Sequence, residues 1–412
     1  MSTQDLYDLW VSSQFECLHT HIDNSRVFLA IKQARALVTE LKKWIKQDPE
    51  ALVAVRPAEN PEQTATPEPE SKEIKDNERN AEADKVKVKV ELVPPTETNK
   101  LSAEQKQNLS ERAQVWLQTW AEDPRRTTLM TERELCLRLM REFEIQPSDD
   151  GVDGLLEGEE LEAVLAKERA NDPHIDEPGR GWKLSDQDSH STTHYRKEPG
   201  SDLYSFRVSG IANVSIHDIF PVIYEASLYY HWFPLMKASE ELAMVTRFHK
   251  IVRTTVSCPW PLANRMFDLE ARGVDNTEEG RILINIESIK SSRFVELPEV
   301  PKGDVVADME HAGYLIEILS PTQTRLSFYA NVDIKMGFLP TWLLNIATKT
   351  LVQMIVRSIE DAAKSVNDPA KPWVQRMQMH EAVYRELRAI LDGYLVSLKP
   401  RDEEPSQGSS AK

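Results

Sequence analysis

The feature that most constrains this chain is a series of short runs in its second half in which apolar and polar residues take turns. In TRLSFYANVDI, Leu326, Phe328, Ala330 and Val332 fall on one side, and Ser327, Tyr329, Asn331 and Asp333 on the other. Successive strand side chains point to opposite faces, so a period of two marks a half-buried antiparallel strand with its polar face toward water. THYRKE, LYSFRVSGIANV, HKIVRTTVSC, MFDLEARGV, RILINIESI and VVADMEHAGYLIEIL read as further strands. DNTEEG (275–280) and SPTQT (320–324) supply turns at hairpin distance.

Two segments break this rhythm and read as helical. SIHDIFPVIYEASLYYHWFPLMKASEELAM interrupts the early strands, and FLPTWLLNIATKTLVQMIVRSIEDAAKSV follows the last one. The second sets Leu344, Leu351, Ile355, Ile359 and Ala362 on one side. A curved antiparallel sheet of about seven to nine strands can enclose a core by wrapping around one long apolar helix, an α+β arrangement. Such a wrap leaves room for an interior cavity, the default place for a small-molecule ligand. Between two strands stands CPWPLANR (258–265), whose prolines lack the donor a ladder needs and so predict a chain-reversing corner. Arg265 is expected to anchor that corner, and Trp260 and Tyr314 to be core aromatics. MGFLPTW (336–342) is either a membrane-touching edge or a corner packed under the helix.

The rest of the chain divides by composition. Residues 1–48 carry a helical stripe of Val27, Ile31, Ala34, Leu37, Leu41 and Ile45, which suits a helical hairpin or helices that bind a protein partner. Residues 49–100, rich in Pro, Glu and Lys, read as a disordered linker in which KVKVKVEL is a solvated segment. Residues 101–148 read as helical, 149–372 as the sheet domain, 373–399 as a C-terminal helix and 400–412 as a disordered tail.

A net charge of -17 argues against nucleic acid as a partner, since phosphate binding needs clustered Lys and Arg. The three cysteines, Cys17, Cys136 and Cys258, form no CxxC or Cys/His spacing, so neither zinc nor a disulfide framework is supported. MSTQDLYDLW lacks the basic and apolar regions of a signal peptide, which makes a cytoplasmic location, peripheral to membranes, the expectation. No GxSxG, phosphate loop or HExxH occurs, so the chain is expected not to be an enzyme.

DDGVDGLLEGEEL resembles an EF-hand calcium loop, with Asp149, Asp153, Glu157 and Glu160 at ligand positions 1, 5, 9 and 12 and Gly154 at the sharp turn. Gly151 lacks the third-position carboxylate, and Pro147 interrupts the entering helix. The competing reading is an acidic turn that caps the following helix.

Residues 155–370 resemble the StAR-related lipid-transfer (START) domain, a helix-grip fold. CPWPLANRMFDLEARGVDNTEEGRILINIES, NVDIKMGFLPTWLLNIATK and GWKLSDQDSHSTTHYRKEPGSDLYSFRVSGIANVS carry the resemblance in family order. It implies a protein that encloses one lipid between sheet and terminal helix for non-vesicular transfer or sensing, with transient membrane contact and no cofactor beyond the lipid. Calcium stands as a separate option at the acidic loop.

Members that bind phosphatidylcholine share an aromatic cage with charged groups. The matching positions here are Tyr229, Phe233, Thr254, Phe267 and His311, and Tyr229 and Phe233 replace the family's Arg and Asp. That disfavours a choline headgroup. The acid–Arg pair of sterol-carrying members falls beside Arg253 and Arg272, where a one-residue bulge could supply Arg272. The matched positions lean toward a sterol or other neutral lipid. Arg253, Glu270, Arg272, Asn285, Glu287, Tyr329 and Asn331 are the polar strand residues that either line the cavity or face water. A second class of function, a lipid-regulated adaptor acting through the N-terminal helices and linked to calcium, fits the long extensions at both ends.

Overall fold

The computed structural model describes residues 3–23, 25–46, 102–145, 156, 158–170, 172, 174, 177–336 and 352–398. Contacts divide the chain into two units, residues 1–17 with 34–123 and residues 18–33 with 124–412. Helices α1 (Thr3–Asp23), α2 (Val27–Lys46) and α3 (Ala103–Glu122) contribute to the first unit. Its core joins Trp10, Val11, Leu37, Leu41, Trp44, Leu109 and Ala113, with the Trp10 and Trp44 rings 5.5 Å apart. The start of α3 is fixed by a capping box: the Ser102 hydroxyl accepts from Gln105 N, and the Gln105 side chain accepts from Ser102 N.

The second unit, which also holds residues 18–33, continues with α4 (Pro124–Glu142). Pro124 cannot continue α3, yet a first helical position needs no N–H partner, so it opens a new helix. After α3 the first unit ends at Asp123 and the second resumes at Pro124. Helix α5 (Gly158–Ala170) follows. Of the calcium-loop residues, Asp149, Asp153 and Glu157 lie outside the described residues, and Glu160 falls in the first turn of α5.

The sheet holds ten strands: β1 (Lys183–Gln187), β2 (Ser191–Lys197), β3 (Tyr204–Ala212), β4 (Met236–Thr246), β5 (His249–Val256), β6 (Arg265–Asn276), β7 (Arg281–Ser288), β8 (Val305–Val306), β9 (Asp308–Ser320) and β10 (Gln323–Asp333). Their order is β1-β2-β3-β10-β9-β7-β6-β5-β4, antiparallel throughout, with the short β8 parallel beside the start of β6. Between β3 and β4 stands α6 (Ile216–Tyr224), followed by a 3-10 turn, Ala226–His231. The segment read as one helix from Ser215 to Met244 is thus two short helical pieces and a strand. Pro234 removes a helical donor, and Met236–Thr246 finds a ladder with β5 instead.

Helices α7 (Val352–Ala363), α8 (Pro372–Met379) and α9 (Glu381–Leu398) complete the chain, and MGFLPTW after Met336 lies outside the described residues. One face of the sheet, the inner face, packs with α6, α7 and α9 into one core that includes Val208, Phe220, Tyr314, Phe328, Ile359, Trp373 and Leu391. The C-terminal segment past residue 372 therefore belongs to the domain core. The opposite, outer face carries α4. Gly313 makes that approach possible: a Cβ there would meet Ile284 O and come within 2.9 Å of Leu139.

Candidate functional site

A cavity of about 80 Å³ lies between the inner face of β5–β7, α6 with its 3-10 turn, and α9. Alternate residues of each strand line it: Lys250, Val252 and Thr254 from β5, Leu269, Ala271 and Gly273 from β6, Ile282, Ile284 and Ile286 from β7. Phe220, Ile223, Tyr224 and Tyr229 close a second side, and Leu387 of α9 a third. Phe248, Asp275 and Thr277 stand at the strand ends.

The charged residues of this lining are already engaged. Lys250 Nζ donates to the Tyr224 carbonyl at 3.0 Å and to Glu241 at 2.8 Å, and lies 3.5 Å from the Tyr224 ring centre. Burial lowers its pKa, and Glu241 opposes that effect. Asp275 pairs with Arg26 at 3.1 Å, and Arg247 with Glu386. The Tyr229 hydroxyl donates to the Ile223 carbonyl at 2.6 Å. The Thr254 hydroxyl has no hydrogen-bond partner among the described residues.

Of the residues the sequence singles out, Tyr229 and Thr254 line the cavity. Phe267 is buried in the same core, and Phe233 packs partly buried against it. The polar set lies elsewhere. Arg253, Glu270, Arg272, Asn285, Glu287, His311, Tyr329 and Asn331 all alternate with inner-face neighbours and so occupy the outer face. Strand β6 keeps unbroken register with β5 and β7, so no bulge turns Arg272 inward. The cage positions do not converge, because His311 is on the far side of the sheet from Tyr229 and Thr254.

On that outer face the polar residues bind one another and α4, with Glu270, Arg272 and Glu287 partly exposed. Arg253 grips Asp268 with two bonds of 2.6 and 2.7 Å and reaches the Glu299 carbonyl at 3.1 Å. Glu270 accepts from Arg272 and His249, and Arg272 stands 3.8 Å from Glu132 of α4. Asn285 faces the Cys136 sulfur at 3.8 Å. Asn331 donates to Ser205, which also contacts the Tyr329 hydroxyl. His311 is fully buried, 3.8 Å from Glu287, and burial lowers its pKa. Arg196 of β2 joins strand to helix by a double contact with Glu142 at 2.9 and 3.0 Å and stacks 4.4 Å from the Trp182 ring.

Residues that reading the sequence missed are Lys250, Glu241 and Glu225. Glu225 has no solvent exposure, and its carboxylate accepts from Arg376 at 2.9 Å, His380 at 2.9 Å and Tyr384 at 2.8 Å. Burial raises its pKa, but those donors and Lys250 outweigh it and hold the carboxyl below the usual range. Among the described residues no group of three His, Cys, Asp or Glu side chains is placed to hold a metal. No described helix is long and apolar enough to cross a membrane.

At the corner, Arg265 Nε donates to the Ile334 carbonyl at 2.6 Å, which ties CPWPLANR to the end of β10. Tyr314 is buried, whereas Trp260 is 92% exposed. At that exposure Trp260 is not a core aromatic.

No protein-family model matches the chain, and no curated protein matches it. Among solved structures it is similar to human StAR-related lipid transfer protein 5 at 18% identity, over 51% of this chain and 97% of that one, with a TM-score of 0.41. Human STARD10 matches at 19% identity over 54% of this chain and 89% of that one, also with a TM-score of 0.41. A STAR-related lipid transfer protein from Xanthomonas axonopodis matches at 21% identity over 45% of this chain and 99% of that one, with a TM-score of 0.38. Such values add no argument to what the topology itself provides. The antiparallel sheet packed around helices on its inner face is an α+β helix-grip arrangement.

Proposed function

We propose that the domain encloses one lipid on the inner face of the sheet, for non-vesicular transfer or sensing. The observation that carries this reading is the cavity lining: it is overwhelmingly aliphatic and aromatic, and its charges are each paired with a neighbouring side chain. Burying apolar ligand surface there is favourable by about 25 cal/mol per Å². Pockets that hold small molecules run to roughly 300–1,000 Å³, so a cavity of about 80 Å³ has to widen around its ligand.

The paired charges favour a sterol or other neutral lipid over a choline lipid, with the Thr254 hydroxyl free to meet its single polar group. The lining holds no His, Cys or Ser among the described residues, which favours binding over catalysis. Membrane contact is assigned to the exposed Trp260, whose ring suits a bilayer interface. The adaptor reading draws on α4, which clamps the outer face and leads directly from α3 in the chain.

Native mass spectrometry with lipid extraction, on full-length protein purified from cells, tests the proposal. Recovery of one sterol or neutral lipid per chain supports it. A ligand-free protein that also takes up no sterol from vesicles overturns it.

A further inference from the structure

Within an otherwise apolar lining stands one primary amine. Lys250 lines the cavity from β5, and Glu241 of β4, paired across the strands with the cavity residue Val252, meets its Nζ at 2.8 Å. The two side chains are only 7% and 13% exposed. The other charges of the lining, Arg247 and Asp275, have partners that are partly in water, Glu386 and Arg26. Lys250 also donates to the Tyr224 carbonyl, and its Nζ lies 3.5 Å from the centre of the Tyr224 ring.

A buried ion pair is weak support for stability, since apolar residues of similar volume often serve as well. Its chemistry is more distinctive. Burial disfavours the ammonium form of Lys250 and outweighs Glu241, which lowers the pKa of the amine. A desolvated lysine in an apolar pocket is a nucleophile toward carbonyl carbon. Around the same nitrogen, the Glu241 carboxylate and the Tyr224 ring face are placed to hold a positive charge. They would hold it on an iminium as well as on the ammonium.

We propose that Lys250 captures a neutral lipid bearing an aldehyde or ketone as an imine, with Glu241 as the proton carrier and counter-ion. This rests on the lipid-cavity reading above and narrows its ligand to carbonyl compounds. The ammonium gives one proton to Glu241, and the amine lone pair forms a C–N bond to the carbonyl carbon. A second amine proton passes to the carbonyl oxygen, Glu241 returns the first, and the oxygen leaves as water. Ammonium and carbonyl thus become iminium and water, with no oxidant or reductant. The nitrogen keeps one proton to donate to Glu241, and hydrolysis by the reverse steps releases the ligand unchanged.

The test uses the full chain with hexadecanal and with hexadecanol, which has the same chain and no carbonyl, each supplied in phosphatidylcholine vesicles. Sodium cyanoborohydride reduces an imine to a stable secondary amine, so intact mass and peptide mapping locate it. The wild type is expected to carry the adduct on Lys250, and Lys250→Arg to lose it while keeping a cation beside Glu241. Retinal, an aldehyde whose absorption moves to longer wavelength when its imine is protonated, reads the counter-ion. Glu241→Gln should lose that long-wavelength band, and a band of wild-type strength overturns the part given to Glu241. The wild-type map stands even where a variant fails to fold, and adducts confined to exposed lysines overturn the proposal. Uptake of hexadecanol with no Lys250 adduct from hexadecanal overturns the imine and leaves the lipid cavity. Uptake of neither compound overturns the lipid-cavity reading and the imine with it.

Discussion

The two faces of this sheet are both buried, but by opposite chemistry. On the inner face, Val252, Leu269, Ile282, Ile284 and Ile286 surround open space, which a lipid of the proposed kind would fill. On the outer face, Arg196 and Arg253 are buried in ion pairs with Glu142 and Asp268, and Asn285 lies against Cys136 of α4. Apolar contacts are non-directional and can re-form around a guest. Hydrogen-bonded charges are directional, and a half-satisfied network is costly. The inner face is therefore built to change and the outer face to stay.

The largest expected effect comes from breaking the outer layer. Arg196→Met leaves Glu142, 5% exposed, without its ion-pair partner. Loss of one partner from a buried pair costs about 3–5 kcal/mol. Urea unfolding should register that loss, while the folded fraction takes up sterol as before. Equal loss of uptake per folded molecule would erase the distinction between the faces.

Filling the inner face should do the reverse. Ile284→Trp places a large ring in the cavity at an overpacking cost of about 1–3 kcal/mol, smaller than the outer-face break. Sterol recovered with the purified protein should drop to background. Retained sterol would move the ligand away from this cavity.

How much of this was legible in the sequence depended on the strand. In β10 one side of the alternation is apolar and the other polar, so Phe328 and Tyr329 could be assigned to opposite faces from pattern alone. In β5 every residue from Lys250 to Thr255 is buried, and Ile251 and Val252 are neighbours with equal claims to the core. Pattern cannot set the phase there, so it does not tell Arg253 from Lys250 as the residue that faces the cavity. The polar face was expected in water because its cover, α4, comes from far along the chain: Cys136 and Asn285 are 149 residues apart. Local periodicity contains no trace of such a contact. Glu225 was hidden for the same reason, its donors lying more than 150 residues later.

Acid tests the Glu225 cluster, which ties α8 and α9 to the end of α6. Because the Glu225 pKa is depressed in the fold, its contribution is present above the ordinary glutamate range and is lost as pH falls through the folded value. Hydrogen bonds to a charged group are worth about 1.5–3 kcal/mol each, an upper bound here because Arg376 is partly solvated. Exchange protection of 372–398 should fall with acid in the wild type, and Glu225→Gln should flatten that dependence. The same acid slope in both proteins would assign it to other groups.

The smallest stability effect is expected at Trp260, which belongs to neither face. It is 92% exposed on a corner pinned by Arg265 and by the bond from Ser257 N to the Leu235 carbonyl at 2.8 Å. Neither anchor involves the indole ring, so Trp260→Ala should change unfolding free energy by no more than about 0.5 kcal/mol. Its cost should appear only against a bilayer, where an interfacial tryptophan has somewhere to bury its ring. Co-sedimentation with neutral phosphatidylcholine vesicles is the suitable assay, since a chain of net charge -17 gains nothing general from anionic lipid. Weaker sedimentation with unaltered melting makes Trp260 a membrane contact. A shifted melt with unaltered sedimentation makes the corner structural, and the inner face would then need another route to its membrane.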